Sequence, residues 1–94
     1  MAGGLRARAA EWLELPPDVV MNVTRVEVVG RLQARITNHR GVVRFGPRQV
    51  VVRLPAPGAL VAVEGRNLVI GWINREELLV TGSIHHVRFE GDAP

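Results

Sequence analysis

The stretch from Val26 to Phe45 constrains the fold most, because apolar and polar residues alternate on both sides of a turn sequence. Leu32, Ala34 and Ile36 alternate with polar residues, as in a strand with one buried and one wet face. Positions 38–41 then read Asn-His-Arg-Gly, and Asn and Gly both favour tight turns. The pattern predicts a hairpin that keeps the apolar residues of both strands on one face. Its expected pairs are Thr37–Val42, Ile36–Val43 and Ala34–Phe45.

Further strands are predicted on either side of this hairpin. A first strand near residues 23–29 joins the next at Gly30, through a bend in one long strand or a three-residue loop. A strand over residues 49–54 meets the following one across the Pro55–Gly58 turn, and Glu64–Asn67 is expected to form another turn. A last strand over residues 78–89 bends at Gly82. The expected pairs in this meander are Val52–Val61, Val50–Val63, Val63–Leu68, Val61–Ile70 and Ala59–Trp72.

The predicted fold is mainly β: a single small domain of antiparallel meander strands, sandwich-like or solenoid-like, preceded by one short N-terminal amphipathic helix. The expected boundaries are a helical segment over 1–15, a β domain over 16–91 and a loose tail over 92–94. Apolar residues from Leu5 to Leu15 fall at helical spacing, and Pro16 and Pro17 end that helix. The reverse face of the meander remains apolar, so we expect the helix, a second layer or another subunit to cover it. Its apolar residues are Val51, Leu60, Val69 and Ile73.

Composition excludes several kinds of chemistry. The chain has no cysteine, which rules out a disulfide framework and thiolate metal ligands. Ser83 is the only serine and no nucleophile motif surrounds it, so we expect no catalytic residues and no cofactor. The neighbouring His85 and His86 point to opposite faces of a strand, so no metal site is expected either. No apolar run is long enough to cross a membrane, and the expected location is the cytoplasm.

Two segments are candidate contact sites. The loop formed by Asn38, His39, Arg40 and Gly41 is either a simple turn with exposed His and Arg side chains, or a contact loop. In the second case Arg40 offers a planar fork to a carboxylate or phosphate and His39 stacks or hydrogen bonds. Trp12 is a candidate peripheral contact with a membrane surface or a partner groove, the alternative being that its helix packs on the protein's own sheet.

The motifs together resemble those of the YabP/YqfC family of sporulation proteins, and the YqfC branch more closely. The matching pieces are Glu14 to Val20, Gly30-x-Leu32, Ile36-x-Asn38-His39-Arg40-Gly41-Val42, Glu64-Gly65-x-x-Leu68 and Glu77-Leu78-x-Val80-x-Gly82-x-Ile84-x-x-Val87. The resemblance implies a cytoplasmic protein of the mother cell in an endospore-forming, Gram-positive bacterium, with peripheral contact at the membrane facing the forespore as an option. It also implies a sporulation membrane protein encoded nearby as the partner, and no established catalytic activity.

Two classes of function follow. The leading hypothesis is a non-enzymatic adaptor or assembly subunit that binds the membrane protein or forms a homo-oligomer, with no small-molecule substrate. The alternative is a small basic nucleic-acid-binding β module, suggested by twelve arginines and a net charge of +3. The arginines are spread along the chain, and Phe45 and Trp72 are predicted inside, which disfavours nucleic acid.

Overall fold

The computed structural model describes residues 23–91 of the chain, and these residues form an antiparallel sheet of six strands. The predictions for the helix over 1–15, Trp12 and the tail over 92–94 lie outside the described residues. The strands are β1 Arg25–Val29, β2 Gln33–Thr37, β3 Val42–Gly46, β4 Gln49–Arg53, β5 Leu60–Ile73 and β6 Glu77–Glu90. The mainly β, antiparallel prediction is therefore confirmed.

The two longest strands organise the sheet, whose order is β1-β2-β6-β5-β4-β3. Strands β5 and β6 pair along nearly their whole 14-residue lengths. Strand β4 pairs with the first part of β5, at residues 60–64, and β2 pairs with the first part of β6, at residues 77–81. The two short hairpins therefore attach at opposite ends of one long hairpin.

This long hairpin bends back so that the sheet forms two facing layers. Asn38 N–H donates to the Glu76 carbonyl (2.6 Å) and Arg40 N–H donates to the Arg53 carbonyl (2.7 Å). Two residues span at most about 7 Å, so these carbonyls lie within about 12 Å of each other. Yet Arg53 pairs with Leu60, and a straight strand from Leu60 to Ile73 would be roughly 43 Å long. The carbonyls of Glu76 and Arg53 can lie this close together only if the β5–β6 hairpin is strongly bent.

Glycines and irregular pairing allow this bend. The β5–β6 register shifts at three places between Glu64 and Trp72. A Cβ on Gly82 would lie 2.6 Å from the Asn67 carbonyl oxygen, and a Cβ on Gly65 would collide with the backbone of Ser83. Both glycines let the two long strands approach each other more closely than any side chain allows.

One core fills the space between the layers. The first layer contains β1, β2 and the parts of β5 and β6 that lie next to the turn connecting them. The second layer contains β3, β4 and the parts of β5 and β6 that lie farthest from that turn. Seven large side chains in this core are fully buried, and each contributes about 1.5–3 kcal/mol through the removal of apolar surface from water. They are Ile36, Val50, Val52, Val61, Val63, Leu78 and Val80.

The predicted hairpin across Asn38–Gly41 is wrong. Strand β2 pairs with β1 and β6, whereas β3 pairs with β4. The four residues carry the chain from the first layer to the second instead of reversing it. Ile36 therefore lies opposite Val26 and Leu78, and not opposite Val43.

The predicted turn at Glu64–Asn67 is also wrong, since β5 continues through these residues. Gly65 serves the close approach to β6, and Asn67 takes a positive φ of 53° inside an irregular part of the strand. The expected pairs Val63–Leu68, Val61–Ile70 and Ala59–Trp72 are accordingly absent. The register across Pro55–Gly58 is confirmed, with Val52 opposite Val61 and Val50 opposite Val63.

At Gly30, the long-strand option is wrong and the three-residue loop is correct. Val29 lies opposite Gln33, and residues 30–32 connect β1 to β2. This loop places Val26 and Val28 opposite Ile36 and Ala34, on one face of the hairpin. Val26 packs against the core, whereas Val28, next to the loop, is 46% exposed. Gly30 has a φ of 55°, which suits a glycine in a tight loop.

Burial differs from the prediction at several apolar residues. Phe45 and Trp72, expected inside, are 56% and 38% exposed. Phe45 lies on the edge strand β3, and Trp72 follows a register shift in β5 that moves it to the outer face. The four apolar residues predicted on the reverse face of the meander also differ in burial. Val51 is buried and Leu60 is half-buried, whereas Val69 and Ile73 are exposed.

Candidate interaction surfaces

Asn38 ends β2 and holds the start of β1 in place. Its φ of 68° is a left-handed conformation that Asn adopts more readily than most residues. Its side-chain amide donates to the Val23 carbonyl (3.3 Å), and its own carbonyl accepts from the Thr24 hydroxyl (2.9 Å). Asn38 N–H also donates to the Glu76 carbonyl, so Asn38 joins the end of β2 to the residues before β1 and to the β5–β6 turn.

His39 is the only buried polar or charged residue among residues 23–91, with 4% of its surface exposed. Its Nδ1 accepts a hydrogen bond from the Gly41 backbone N–H (2.9 Å), and its Nε2 lies 3.0 Å from the Asn74 carbonyl oxygen. Because a carbonyl can only accept, the neutral ring carries its proton on Nε2. The ring therefore joins the β5–β6 turn of the first layer to the start of β3 in the second.

Arg40 and Gly41 begin the second layer. Gly41 has a φ of 113°, and its carbonyl accepts from Arg53 N–H (2.8 Å), which extends the β3–β4 ladder. The Arg40 side chain is exposed, and its Nη1 donates to Asn38 Oδ1 (3.0 Å) and to the His39 carbonyl (3.2 Å). One terminal nitrogen thus stabilises the loop while the guanidinium stays at the surface, where it can meet a carboxylate or phosphate.

The loop motif is therefore explained largely by the fold. The simple-turn alternative expected exposed His and Arg side chains, and Arg40 is exposed whereas His39 is buried. Stacking of His39 on a partner would require its ring to leave two hydrogen bonds. A contact role for this loop stays a prediction, and it rests on Arg40.

No metal-binding arrangement is found within residues 23–91, where no three His, Asp or Glu side chains converge. His85 and His86 are both exposed, and His85 Nε2 lies 3.4 Å from the Ser83 hydroxyl. Nor does this part of the chain contain a helix with the length and apolar character needed to cross a membrane.

An apolar patch that the sequence analysis missed lies on the outer face of the first layer. We call Val69, Trp72 and Leu79 the Trp72 patch. Leu79 stands between two core residues of β6, so it points outward, and it pairs with Trp72 on one side and Arg35 on the other. Val69 is 54% exposed and pairs with Thr81, at the next outward position of β6.

Gly71 makes this surface possible. A Cβ there would lie 3.4 Å from Leu79 Cδ2, so the Leu79 side chain lies across the glycine beside Trp72. The sequence Val-Ile-Gly-Trp-Ile contains this signal, since a glycine inside a strand often marks a register shift that turns the next side chain to the other face.

The comparisons with known proteins agree with each other. The model of the YabP family matches residues 21–94. The chain is also 40% identical over 85 residues to the uncharacterized protein YqfC of Bacillus subtilis (strain 168), and the match covers 90% of this chain and 89% of that protein. No solved structure matches the chain significantly. A chain matched over this much of its length, by both a family model and a relative, belongs to the YabP/YqfC family.

Proposed function

We propose that this protein is a non-enzymatic adaptor or assembly subunit that acts in the mother cell during endospore formation. Its partner in this proposal is a membrane protein encoded nearby, bound at the membrane that faces the forespore. The link to sporulation rests on family membership alone. The Trp72 patch is the observation that carries the docking role.

The patch has the chemistry of a small protein-binding surface. Tryptophan is enriched among the residues that dominate binding energy, because a large flat side chain loses little conformational freedom when it is buried. Two apolar neighbours flank Trp72, and Arg35 lies on the far side of Leu79. An apolar centre with a charged rim is the usual arrangement of an interface.

The absence of a catalytic role in this proposal is supported by the site chemistry. The one buried titratable side chain in residues 23–91 is His39, and both of its ring nitrogens are occupied by backbone groups. Such a ring stabilises structure and has no free nitrogen for proton transfer to a substrate.

The test is co-purification of the tagged protein with the adjacent membrane protein, in detergent. We expect Trp72→Ser and Val69→Asn to reduce capture by about tenfold, the effect of losing roughly 1.4 kcal/mol at an interface. Phe89→Ser is the matched control, because Phe89 is 58% exposed but lies in the second layer, opposite Val61. Equal capture by wild type and Trp72→Ser, or no capture at all, would contradict the proposal.

Nucleic-acid binding gains one observation from the structure, since Phe45 and Trp72 are exposed and not internal. The three aromatic side chains within residues 23–91 are nevertheless dispersed: Trp72 is on the outer face of the first layer, and strands β4 and β5 separate Phe45 from Phe89. Single strands are bound by aromatic residues that stack successive bases along one groove. Filter binding to single-stranded DNA and RNA at two salt concentrations separates the two functions, and tight, salt-sensitive binding would favour this second one.

A further inference from the structure

The outer edge of β1 is a second feature with no role in the docking proposal. The sheet ends at β1 on one side and at β3 on the other, so within residues 23–91 no strand pairs with either outer edge. An edge strand presents a row of backbone N–H and C=O groups that another chain can bind. Natural proteins usually protect such edges with proline, bulges or repelling charges.

The two edges differ in protection. Strand β3 has a register shift between Val42 and Arg44 and is followed by Pro47, and both features obstruct the addition of a strand. Strand β1 pairs with β2 in an unbroken register of five residues and contains neither proline nor glycine. The edge of β1 is therefore the more open of the two.

The sequence along this edge is self-complementary. Residues 23–29 read Val-Thr-Arg-Val-Glu-Val-Val, and an antiparallel copy centred on Val26 pairs every residue with a suitable partner. Arg25 then faces Glu27 of the second copy, and Glu27 faces Arg25 of the second copy. On the same outer face Val23 meets Val29, and these two side chains are 42% and 57% exposed.

The two adjacent registers with the same parity are worse. Centring on Glu27 places Glu27 opposite its own copy, and centring on Arg25 places Arg25 opposite its own copy. Like charges directly opposite each other destabilise a strand pair. In the Val26-centred register, by contrast, Glu27 lies between Arg35 of its own β2 and Arg25 of the second copy. Charge complementarity thus favours the Val26-centred register over both of its neighbours, and a second copy of this chain supplies the matching strand.

We infer that this protein forms a two-fold dimer in which β1 pairs antiparallel with β1 of a second copy, centred on Val26. The two sheets then join into one continuous sheet across the dimer axis, and the interface is isologous, as in most homodimers. This inference deepens the assembly part of the proposed function, and it leaves the Trp72 patch open to another protein.

Charge exchange tests the register. Sedimentation or light scattering should show the wild type moving from 10.3 kDa toward twice that mass between about 1 and about 100 µM, the range for a micromolar dimer. Arg25→Glu and Glu27→Arg should each weaken association about tenfold, because each creates two like-charge pairs. Because Glu27 also lies opposite Arg35 of its own β2, the charge exchange is complete only when Arg35→Glu is added. The triple variant Arg25→Glu/Glu27→Arg/Arg35→Glu should regain the wild-type mass, with unchanged circular dichroism in all variants.

Cross-linking gives an independent measurement, because the natural chain has no cysteine. A mixture of Val23→Cys and Val29→Cys should form a heterodisulfide on oxidation, since these positions lie opposite each other only in the proposed register. Leu32→Cys, whose position is 71% exposed, is the control thiol and should not cross-link with Val23→Cys. A monomer at all concentrations, a triple variant that fails to recover, or equal cross-linking by the control would overturn the inference. Open, growing assemblies would overturn it too, since they indicate head-to-tail contacts.

Capture of the membrane protein is unaffected by any of these results, so failure of the dimer and failure of the docking role are distinguishable.

Discussion

His39 and Asn74 meet across the two layers of the sheet, with the Nε2 atom of His39 3.0 Å from the backbone carbonyl oxygen of Asn74. The second ring nitrogen accepts the Gly41 N–H, so one buried ring joins a turn of the first layer to the opening residue of the second. A buried side chain that satisfies two backbone groups is costly to replace, because its packing is lost and both groups lose their partner at once.

Removal of this ring should therefore destabilise the fold strongly. We expect His39→Ala to lower the free energy of unfolding by about 2–4 kcal/mol, from the cavity and the two unpaired backbone groups. His86→Ala is the matched control: His86 is exposed, and its change should stay within about 0.5 kcal/mol. Urea unfolding followed by tryptophan fluorescence measures both. Similar losses in the two variants would contradict the bridging role.

The protonation pattern of His39 is a separate prediction. In the neutral ring Nδ1 accepts and Nε2 donates, so ¹⁵N spectra should show the proton on Nε2. His85 and His86, which are exposed, provide the comparison within the same sample. A proton on Nδ1 of the neutral His39 ring would show that the ring is turned over.

Asn74 also shapes the β5–β6 turn with its side chain. Its Oδ1 accepts from the backbone N–H groups of Glu76 (2.9 Å) and Glu77 (2.8 Å), an arrangement that Asn and Asp favour in turns. We expect Asn74→Ala to cost about 1 kcal/mol, similar to the loss of a helix cap. Asn74→Asp keeps the acceptor and should recover most of this loss in high salt, where repulsion from Glu76 and Glu77 is screened. Equal stability of the Ala and Asp variants would argue against these hydrogen bonds.

Glycines at the bend should tolerate no side chain. Gly82→Ala places a Cβ 2.6 Å from the Asn67 carbonyl at a φ of 136°, and we expect a loss of at least about 2–3 kcal/mol from strain and displaced backbone. Gly65→Ala should behave similarly because of Ser83. At Gly46 the nearest atom is 3.9 Å from an added Cβ and φ is ordinary, so Gly46→Ala should be neutral or slightly stabilising. Thermal unfolding of the three variants, ranked together, checks the close approach.

Arg88 tests a polar cluster on the outer face of the second layer. Its Nη2 lies 3.1 Å from Glu64 and 3.2 Å from Glu90, but its side chain is 56% exposed, so the ion pairs should contribute below about 1 kcal/mol. Arg88 also lies directly opposite Ala62, which is fully buried. We therefore expect Arg88→Met, which keeps the aliphatic stem, to be milder than Arg88→Ala. The reverse order, or a large loss in Arg88→Met that high salt abolishes, would assign the stability to charge.

Sequence patterns predicted this fold where the determining contacts are local. The Pro55–Gly58 turn set the register of Val52 against Val61, and alternation correctly placed Val26 against the core with Ala34 and Ile36. The same alternation is wrong for Leu32, which lies in the 30–32 loop and is 71% exposed. Both correct predictions depend only on the length of a short turn and on the alternation of side chains between the two faces of a strand.

The failures involve residues that serve distant contacts. Asn38, Gly41 and Asn67 take positive φ values, which suit both a hairpin turn and a crossing or irregular strand. A hairpin turn is excluded at residues 38–41 by the contact with the Glu76 carbonyl, and at residues 64–67 by the close approach to the Ser83 backbone. Both contacts come from residues far along the chain. The Trp72 patch was missed for the same reason, since its orientation depends on a register shift.

Strands β5 and β6 each belong to both layers. Neither layer could be cut out as a stable fragment, because its central strands would lose half of their length. Heat or denaturant should melt the protein in one cooperative step, with slow amide exchange spread through both ends of the long hairpin. A mutation that loosens either end is therefore felt by the whole molecule.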